Sequence, residues 1–180
     1  ITFSRKYNEP VVDNTVTDYL QLLNANSYQK GGWILHMLRT QIGDSAFLRG
    51  IRNYYATFAG RNAVTEDLQR VMEKASGRDL SKFFKQWLYT PGQPKLEIRW
   101  RYDAARSLIS GTIQQLQPMP FEFPLDLPWT EAGETHPTVI TLRVKEGKTN
   151  FNFPVKAQPA NFVIDPGVHL LFEGTAKEDK

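Results

Sequence analysis

The chain has 180 residues, of which 41% are hydrophobic, 23% charged and 12% aromatic, a composition typical of a folded protein. Its 22 Lys and Arg residues against 19 Asp and Glu residues give a net charge of +3, too small a surplus to indicate a nucleic-acid partner by itself. The absence of cysteine excludes disulfides, thiol catalysis and Cys-ligated metal sites. No uncharged apolar run approaches the roughly 18 residues that a membrane-spanning helix needs.

The N-terminal half carries apolar residues at the three- and four-residue spacing of amphipathic helices. Four helices are predicted: from Asn26 or Ser27 to Ile42, from Asp44 or Ser45 to Phe58, from Thr65 to Gly77, and from Asp79 to Thr90. The first residue of each range is a candidate N-cap, and the predicted stops are Gly43 for the first helix, Gly77 for the third and Thr90-Pro91-Gly92 for the fourth. The predicted apolar positions are Leu35, Leu38 and Ile42, with Trp33, Ile34 and Met37 widening that surface; Phe47, Ile51, Tyr54, Tyr55 and Phe58; Leu68, Val71, Met72 and Ala75; and Leu80, Phe83, Phe84, Trp87 and Leu88. Residues 1–94 are therefore predicted to form an all-α unit of about four helices.

From Lys95 onward the apolar period changes to two, which is typical of half-buried strands. Strands are predicted at 95–102, 108–116, 121–129, 138–144, 149–155, 161–164 and 168–172. In the third of these, Pro124 and Pro128 take the opposite parity from the apolar positions, so we expect that strand at a sheet edge. Seven short strands over residues 95–180 predict an antiparallel β-sandwich, making the whole chain α+β in two segments.

The titratable residues form no complete catalytic or metal-binding set in the sequence. The three histidines, His36, His136 and His169, include no H-E-x-x-H pair and no second His at helical spacing. We expect His36 to be an ordinary packed or hydrogen-bonded residue, His136 to lie in a loop and His169 in a strand. Most aromatic residues fall on predicted core faces and not on an exposed stacking surface with basic neighbours, so no nucleic-acid partner is expected.

Several short motifs occur in a specific order along the N-terminal half. They are Tyr28-Gln29-Lys30-Gly31, Thr65-Glu66-Asp67-Leu68, Ser76-Gly77-Arg78-Asp79-Leu80, Phe83-Phe84-Lys85-Gln86-Trp87-Leu88 and Pro91-Gly92-Gln93-Pro94. In this order they resemble the gluzincin zinc aminopeptidases, the family of aminopeptidase N and leukotriene hydrolase, over about residues 5–94. Residues 1–94 then correspond to the helical C-terminal part of a thermolysin-like catalytic domain. Residues 95–180 resemble the fibronectin- or immunoglobulin-like β-sandwich that follows it.

The resemblance implies a catalytic role for Tyr28. In this family the Tyr of Tyr-x-Lys-Gly stabilises the tetrahedral intermediate, formed when zinc-activated water attacks the peptide bond after the N-terminal residue. A phenol that donates a hydrogen bond to the developing oxyanion suits that role, whereas without the resemblance Tyr28 reads as a residue packed over the helix start. We assign packing and close backbone approach to Lys30 and Gly31, with no chemical role.

Two family motifs are absent from this sequence: the zinc-binding H-E-x-x-H with its downstream Glu, and the Gly-x-Met-Glu-Asn element that binds the substrate amine. Together with the start at Ile1, this predicts a C-terminal piece of a longer enzyme. We expect zinc and the peptide substrate to belong to the full-length enzyme, and the piece alone to bind no zinc or other cofactor and to be inactive. Its expected partner is the missing N-terminal part of the catalytic domain, and without that part it is expected to self-associate.

One alternative of another class stays open at this stage: a non-enzymatic adaptor or binding module made of a helical unit and a β-sandwich. An H-E-x-x-H motif upstream in the full reading frame would distinguish the enzyme from the adaptor. A periplasmic, secreted or cell-envelope location is favoured for a Cys-free enzyme of this type. The residue preference of the substrate pocket does not follow from this sequence.

Overall fold

The computed structural model describes residues 9–24, 26–131 and 133–179. The chain divides into two compact units, Ile1–Gly92 and Gln93–Lys180. Among the described residues, no helix has the length and apolarity needed to cross a membrane.

The first unit is built from four α-helices in its described part. They are α1 (Gly31–Ile42), α2 (Asp44–Phe58), α3 (Thr65–Ser76) and α4 (Ser81–Tyr89). A 3-10 turn at Tyr19–Leu22 and a π-helical turn at Asn26–Lys30 precede α1. The four predicted helices are confirmed, and the first of them begins with the π-helical turn.

The N-terminal caps differ in detail from the predicted ones. The first helical segment is capped by Asn24, whose Oδ1 accepts hydrogen bonds from the amides of Asn26 and Ser27 at 2.8 and 3.2 Å. Asp79 does accept the Ser81 amide at 2.9 Å, as expected of a residue that caps α4. Thr65 is already helical, and the Asp67 carboxylate instead accepts the amide of Val64 at 3.0 Å. These side chains satisfy amides at the helix starts that have no partner within the helix.

The buried face of α1 consists of Ile34, Met37, Leu38 and Ile42. Leu35, predicted to share the core with Leu38, is 38% exposed, so that prediction was wrong. In α2 the buried residues are the small ones, Ala46 and Gly50, whereas Tyr55 is 74% exposed. Of the predicted core positions of α2, Phe47, Ile51, Tyr54 and Phe58 are half-buried, and only the prediction for Tyr55 was wrong. The close approach of α2 to α3 is at Gly50, where there is room only for a small residue.

In its described residues the second unit contains seven strands in two sheets. They are β1 (Lys95–Asp103), β2 (Leu108–Gln115), β3 (Phe123–Glu131), β4 (Thr138–Val144), β5 (Lys148–Pro154), β6 (Pro159–Phe162) and β7 (Glu173–Glu178). One sheet has the order β5-β2-β1-β7 and the other β4-β3-β6. Trp129 stacks on Phe153 with ring centroids 5.1 Å apart, and Trp100 stacks on Phe162 at 4.7 Å, so the two sheets face each other across an aromatic core. The predicted seven-stranded sandwich is confirmed.

The third strand is central in its sheet, contrary to the edge position that its prolines predicted. Val163 donates its amide to the Pro128 carbonyl at 3.2 Å, which places the backbone groups of Pro128 on the β6 side of β3. Pro124 has the same parity and faces the same side. Proline has no amide hydrogen to donate to a neighbouring strand. Because β6 pairs with β3 from Trp129 onward, Pro124 and Pro128 lie outside the paired stretch and remove no donor from it.

The last strand lies at Glu173–Glu178 and not at the predicted 168–172, and it pairs with β1 in parallel, a departure from the all-antiparallel prediction. The apolar run that suggested a strand is instead a loop with Leu170 and Leu171 buried. Asp165 holds this loop, since its carboxylate accepts the amides of His169 and Leu170 at 2.9 and 2.8 Å. A side chain thus takes the hydrogen bonds that a neighbouring strand would otherwise make.

Candidate functional site

Tyr28 lies in the middle of the π-helical turn that leads into α1. Its side chain is 63% exposed, and its amide donates a hydrogen bond to the carbonyl oxygen of Asn24 at 3.2 Å. Single π-helical turns at the ends of α-helices are uncommon and often occur at functional sites. The turn therefore presents a phenol to solvent from a backbone that is already hydrogen-bonded.

The residues two positions before and after Tyr28 are both polar and both buried. Asn26 is 1% exposed and Lys30 is 2% exposed. Residues four apart on a helical backbone share a face, and the residue midway between them points away from it. Asn26 and Lys30 thus form the inner face of the turn, and Tyr28 forms the outer face.

Each inner residue makes a long-range hydrogen bond. The Asn26 side chain donates from Nδ2 to the carbonyl oxygen of Glu9 at 3.0 Å, and Lys30 donates from Nζ to that of Thr90 at 3.2 Å. Among the described residues, Asn26 Oδ1 has no hydrogen-bond partner. The turn is tied to the chain before it and to the end of α4.

Lys30 is buried without a carboxylate partner in the described part of the chain. Burial disfavours the charged ammonium and lowers the pKa of Lys30 from its ordinary value of 10.5 to about 8. Thr90 is the C-cap residue that follows α4, and the carbonyl groups left unpaired at this end of the helix favour a positive charge. Near the same end of α4, the carbonyl oxygen of Leu88 accepts hydrogen bonds from the amides of Val11 and Val12 at 2.9 and 3.0 Å.

The amides at the start of the helix do not form an open anion site. Asn24 Oδ1 takes those of Asn26 and Ser27, and the Asn24 carbonyl takes that of Tyr28. The Tyr28 hydroxyl is an exposed hydrogen-bond donor that this turn offers to a ligand. A Cβ built on Gly31 would meet only the Asn26 carbonyl oxygen, at 3.7 Å, so within the described residues no close backbone approach explains that glycine.

None of the three histidines lies in this turn. His36 is exposed on α1, with its ring edge-on to Trp33 at a centroid distance of 5.6 Å. His136 is exposed in the loop before β4, as predicted. His169 lies in the loop after β6 and not in a strand.

The structure brings His169 together with two carboxylates that the sequence did not connect. His169 Nδ1 lies 3.5 Å from Asp126 Oδ2 and 4.0 Å from Asp165 Oδ1, and one ligand atom from each residue lies within 4.8 Å of the others. Both carboxylates have other partners: Asp165 accepts two loop amides, and the second oxygen of Asp126, Oδ1, accepts the Thr141 hydroxyl at 2.6 Å. The position of these side chains is explained by their structural role, because Asp165 holds the loop that carries His169.

The match to a known protein family lies in the helical unit. Residues 3–87 match the model of the peptidase family M1 domain. The chain is 42% identical over 67 residues to aminopeptidase N of Lactococcus lactis subsp. lactis, which covers 37% of this chain and 8% of the relative. It is 25% identical over 185 aligned positions to aminopeptidase N of Escherichia coli, covering 93% of this chain and 20% of the relative.

A solved structure extends the agreement to both units. The fold superimposes on Legionella pneumophila aminopeptidase A, solved in complex with aspartic acid, with a TM-score of 0.79 over 97% of this chain and 20% of that one. At 17% identity this likeness concerns the fold alone.

These matches support the gluzincin aminopeptidase family, which the sequence motifs resemble. The chain spans 8–20% of the length of these relatives.

The sequence reasoning singled out Tyr28 but missed the two residues that hold it. Asn26 was considered only as a cap, and Lys30 was assigned to packing without a partner. Nothing in the local sequence marks either residue as buried, because Glu9 and Thr90 lie 17 and 60 residues away.

Proposed function

We propose that this chain is the C-terminal part of the catalytic domain, followed by the β-sandwich, of a zinc aminopeptidase that removes N-terminal residues from peptides. Within it, Tyr28 donates a hydrogen bond from its hydroxyl to the oxyanion of the tetrahedral intermediate. The observation that carries this proposal is the geometry of the turn: an exposed phenol between two buried residues that are hydrogen-bonded elsewhere.

A fixed donor is what oxyanion stabilisation requires. A donor already held in place before the reaction needs little reorganisation when charge develops on the substrate oxygen. Asn26 and Lys30 restrain the turn on its inner side, and the Tyr28 phenol remains free to meet a substrate on the outer side. The hydrogen bond would strengthen as the carbonyl becomes an oxyanion, so its effect falls on the transition state.

The zinc of the family has no binding site of the family type in this chain. Peptidases of family M1 are zinc metallopeptidases, yet this sequence contains no H-E-x-x-H motif. The cluster of Asp126, Asp165 and His169 lies in the sandwich unit and does not match that ligand set. Activation of the attacking water therefore belongs to residues that this chain lacks, and we expect the chain alone to hydrolyse no aminoacyl p-nitroanilide.

Exposed apolar side chains near the turn support a covering partner. Leu20, Leu23 and Leu35 are 76%, 63% and 38% exposed in the same segment that carries Tyr28. We propose that the N-terminal part of the catalytic domain covers them in the full-length enzyme. Without it the 180-residue chain is expected to self-associate, which a concentration series in analytical ultracentrifugation would reveal.

The test is Tyr28→Phe in the full-length enzyme, with Tyr55→Phe as the matched control because Tyr55 is an exposed tyrosine on α2. Loss of one oxyanion donor typically lowers kcat by about 10²–10³, and we expect this for Tyr28→Phe with little change in KM, zinc content or Tm. The control should keep its kcat. A Tyr28→Phe enzyme that retains more than about half of its kcat would overturn the catalytic assignment.

A further inference from the structure

We propose that Lys30 is a positioning residue for Tyr28: by donating from Nζ to the Thr90 carbonyl it fixes the turn from which the phenol projects. This inference rests on the proposed function and extends it to a residue that touches no substrate. The bond joins the turn to the end of α4, 60 residues further along the chain.

The burial of Lys30 needs an explanation because it is unfavourable by itself. A buried ammonium without a carboxylate partner costs stability, whereas an apolar side chain of the same length would fill the space at no such cost. Lys30 is 2% exposed and, in the described part of the chain, its amine bonds only the Thr90 carbonyl. What the amine adds over a methionine at this position is that one directed bond.

The bond acts as an anchor because its acceptor is itself held in place. Thr90 donates its amide to the Gln86 carbonyl at 3.3 Å, which closes the last turn of α4. Phe83, Phe84 and Trp87 of this helix are 8%, 2% and 2% exposed, so its packed face is deep in the helical unit. Lys30 thus ties the Tyr28 turn to a well-buried element.

Lys30 and Tyr28 are close enough for a movement of one to displace the other. Lys30 and Tyr28 lie in the same five-residue π-helical turn, Asn26–Lys30, with Lys30 on its inner face and Tyr28 on its outer face. Release of Lys30 lets the end of the turn move, and the phenol moves with it. Displacement of a catalytic group by about 1 Å can lower a rate by about 10²-fold, so the turn is a sensitive place for such a restraint.

The experiment compares Lys30→Met with Lys82→Met, which removes an exposed lysine from α4. Methionine keeps an unbranched side chain and removes the amine. In the 180-residue chain, hydrogen exchange of the Tyr28 amide is measured against that of Phe47 in α2. In the full-length enzyme, kcat and KM are measured for Lys30→Met, Tyr28→Phe and the double variant.

If Lys30 positions Tyr28, Lys30→Met speeds exchange of the Tyr28 amide at least tenfold, leaves that of Phe47 unchanged, and lowers kcat at least tenfold with KM within twofold. In the Tyr28→Phe background the same change lowers kcat by less than twofold, because the group that Lys30 positions is already gone. An equal loss of kcat in both backgrounds shows a purely structural role and overturns the inference, as does unchanged exchange at Tyr28.

The two proposals fail in different ways. If Tyr28→Phe alone keeps kcat, the catalytic role of Tyr28 is lost, and with it any catalytic positioning by Lys30. If Tyr28→Phe lowers kcat but Lys30→Met does not, the function of Tyr28 stands and the inference about Lys30 is overturned.

Discussion

Gly50 of α2 and Met72 of α3 approach each other so closely that a Cβ on Gly50 would lie 2.4 Å from the Met72 sulfur. Met72 is fully buried, so its side chain has little room to withdraw. We expect Gly50→Ala to lower the free energy of unfolding by about 1–3 kcal/mol through overpacking.

Gly32→Ala is the control for this substitution. Gly32 also lies in a helix, but no atom within 4 Å would meet its Cβ. Replacing a helical glycine by alanine without a clash stabilises by about 0.5–1 kcal/mol. Urea melts of both variants should therefore shift in opposite directions, and a stabilised Gly50→Ala would show that Met72 repacks freely.

Leu38 marks the centre of the buried face of α1. It is fully buried, whereas its neighbour Leu35 is 38% exposed. Leu38→Ala should cost about 2–5 kcal/mol, because it removes buried methyl groups and leaves a cavity. Leu35→Ala should cost less than about 1 kcal/mol in the same denaturant melts. Equal losses for the two leucines would contradict the orientation of α1.

Asp165 holds the loop between β6 and β7 with both carboxylate oxygens. Asp165→Asn keeps the size of the side chain but leaves one acceptor for two loop amides, of which the Leu170 bond is buried, so we expect a loss of about 1–3 kcal/mol. Glu134→Gln, at an exposed position, should change stability by less than about 0.5 kcal/mol. A neutral Asp165→Asn in thermal melts would mean that the loop holds without the second bond.

The buried amine of Lys30 should make stability depend on alkaline pH. Its pKa falls to about 8 on folding from an ordinary 10.5, so between these values the unfolded chain binds a proton that the folded chain does not. Stability therefore rises with pH through this window, by up to about 3 kcal/mol relative to neutral pH.

Lys30→Met isolates this effect from the other titrating groups. The difference in unfolding free energy between wild type and variant should move in favour of the wild type between pH 8 and pH 10.5, and stay constant below about pH 7. Urea melts at a series of pH values measure it. A difference that is flat through this whole range would contradict a pKa lowered by burial.

The 180-residue chain should bind no zinc at micromolar affinity. The only three-ligand cluster among the described residues, Asp126 with Asp165 and His169, already uses its carboxylates for loop amides and a hydroxyl. A metal would have to compete with the two loop amides for the Asp165 carboxylate. Calorimetric titration of metal-free protein checks this, and a single tight site that His169→Ala abolishes would refute the prediction.

Much of the fold follows from the sequence because local periodicity reports local structure. Apolar residues at helical spacing predicted all four helices, and alternation predicted six strands at nearly their observed positions. The seventh strand could not be predicted this way, since β7 at a sheet edge has no buried position and joins its sheet by backbone hydrogen bonds. The apolar run before it reads as a strand but is held as a loop by Asp165.

For the candidate site, the sequence by itself pointed to Tyr28 through an ordered set of motifs, and the same motifs gave the resemblance to the gluzincin aminopeptidases. Only the tertiary structure decided that Lys30 is buried and bonded to Thr90, and that Asp126 and Asp165 meet His169. The physical reason is the range of the interaction. A helix or strand depends on neighbours a few residues away, whereas the burial of a polar side chain depends on which distant backbone or carboxylate groups the fold brings to it.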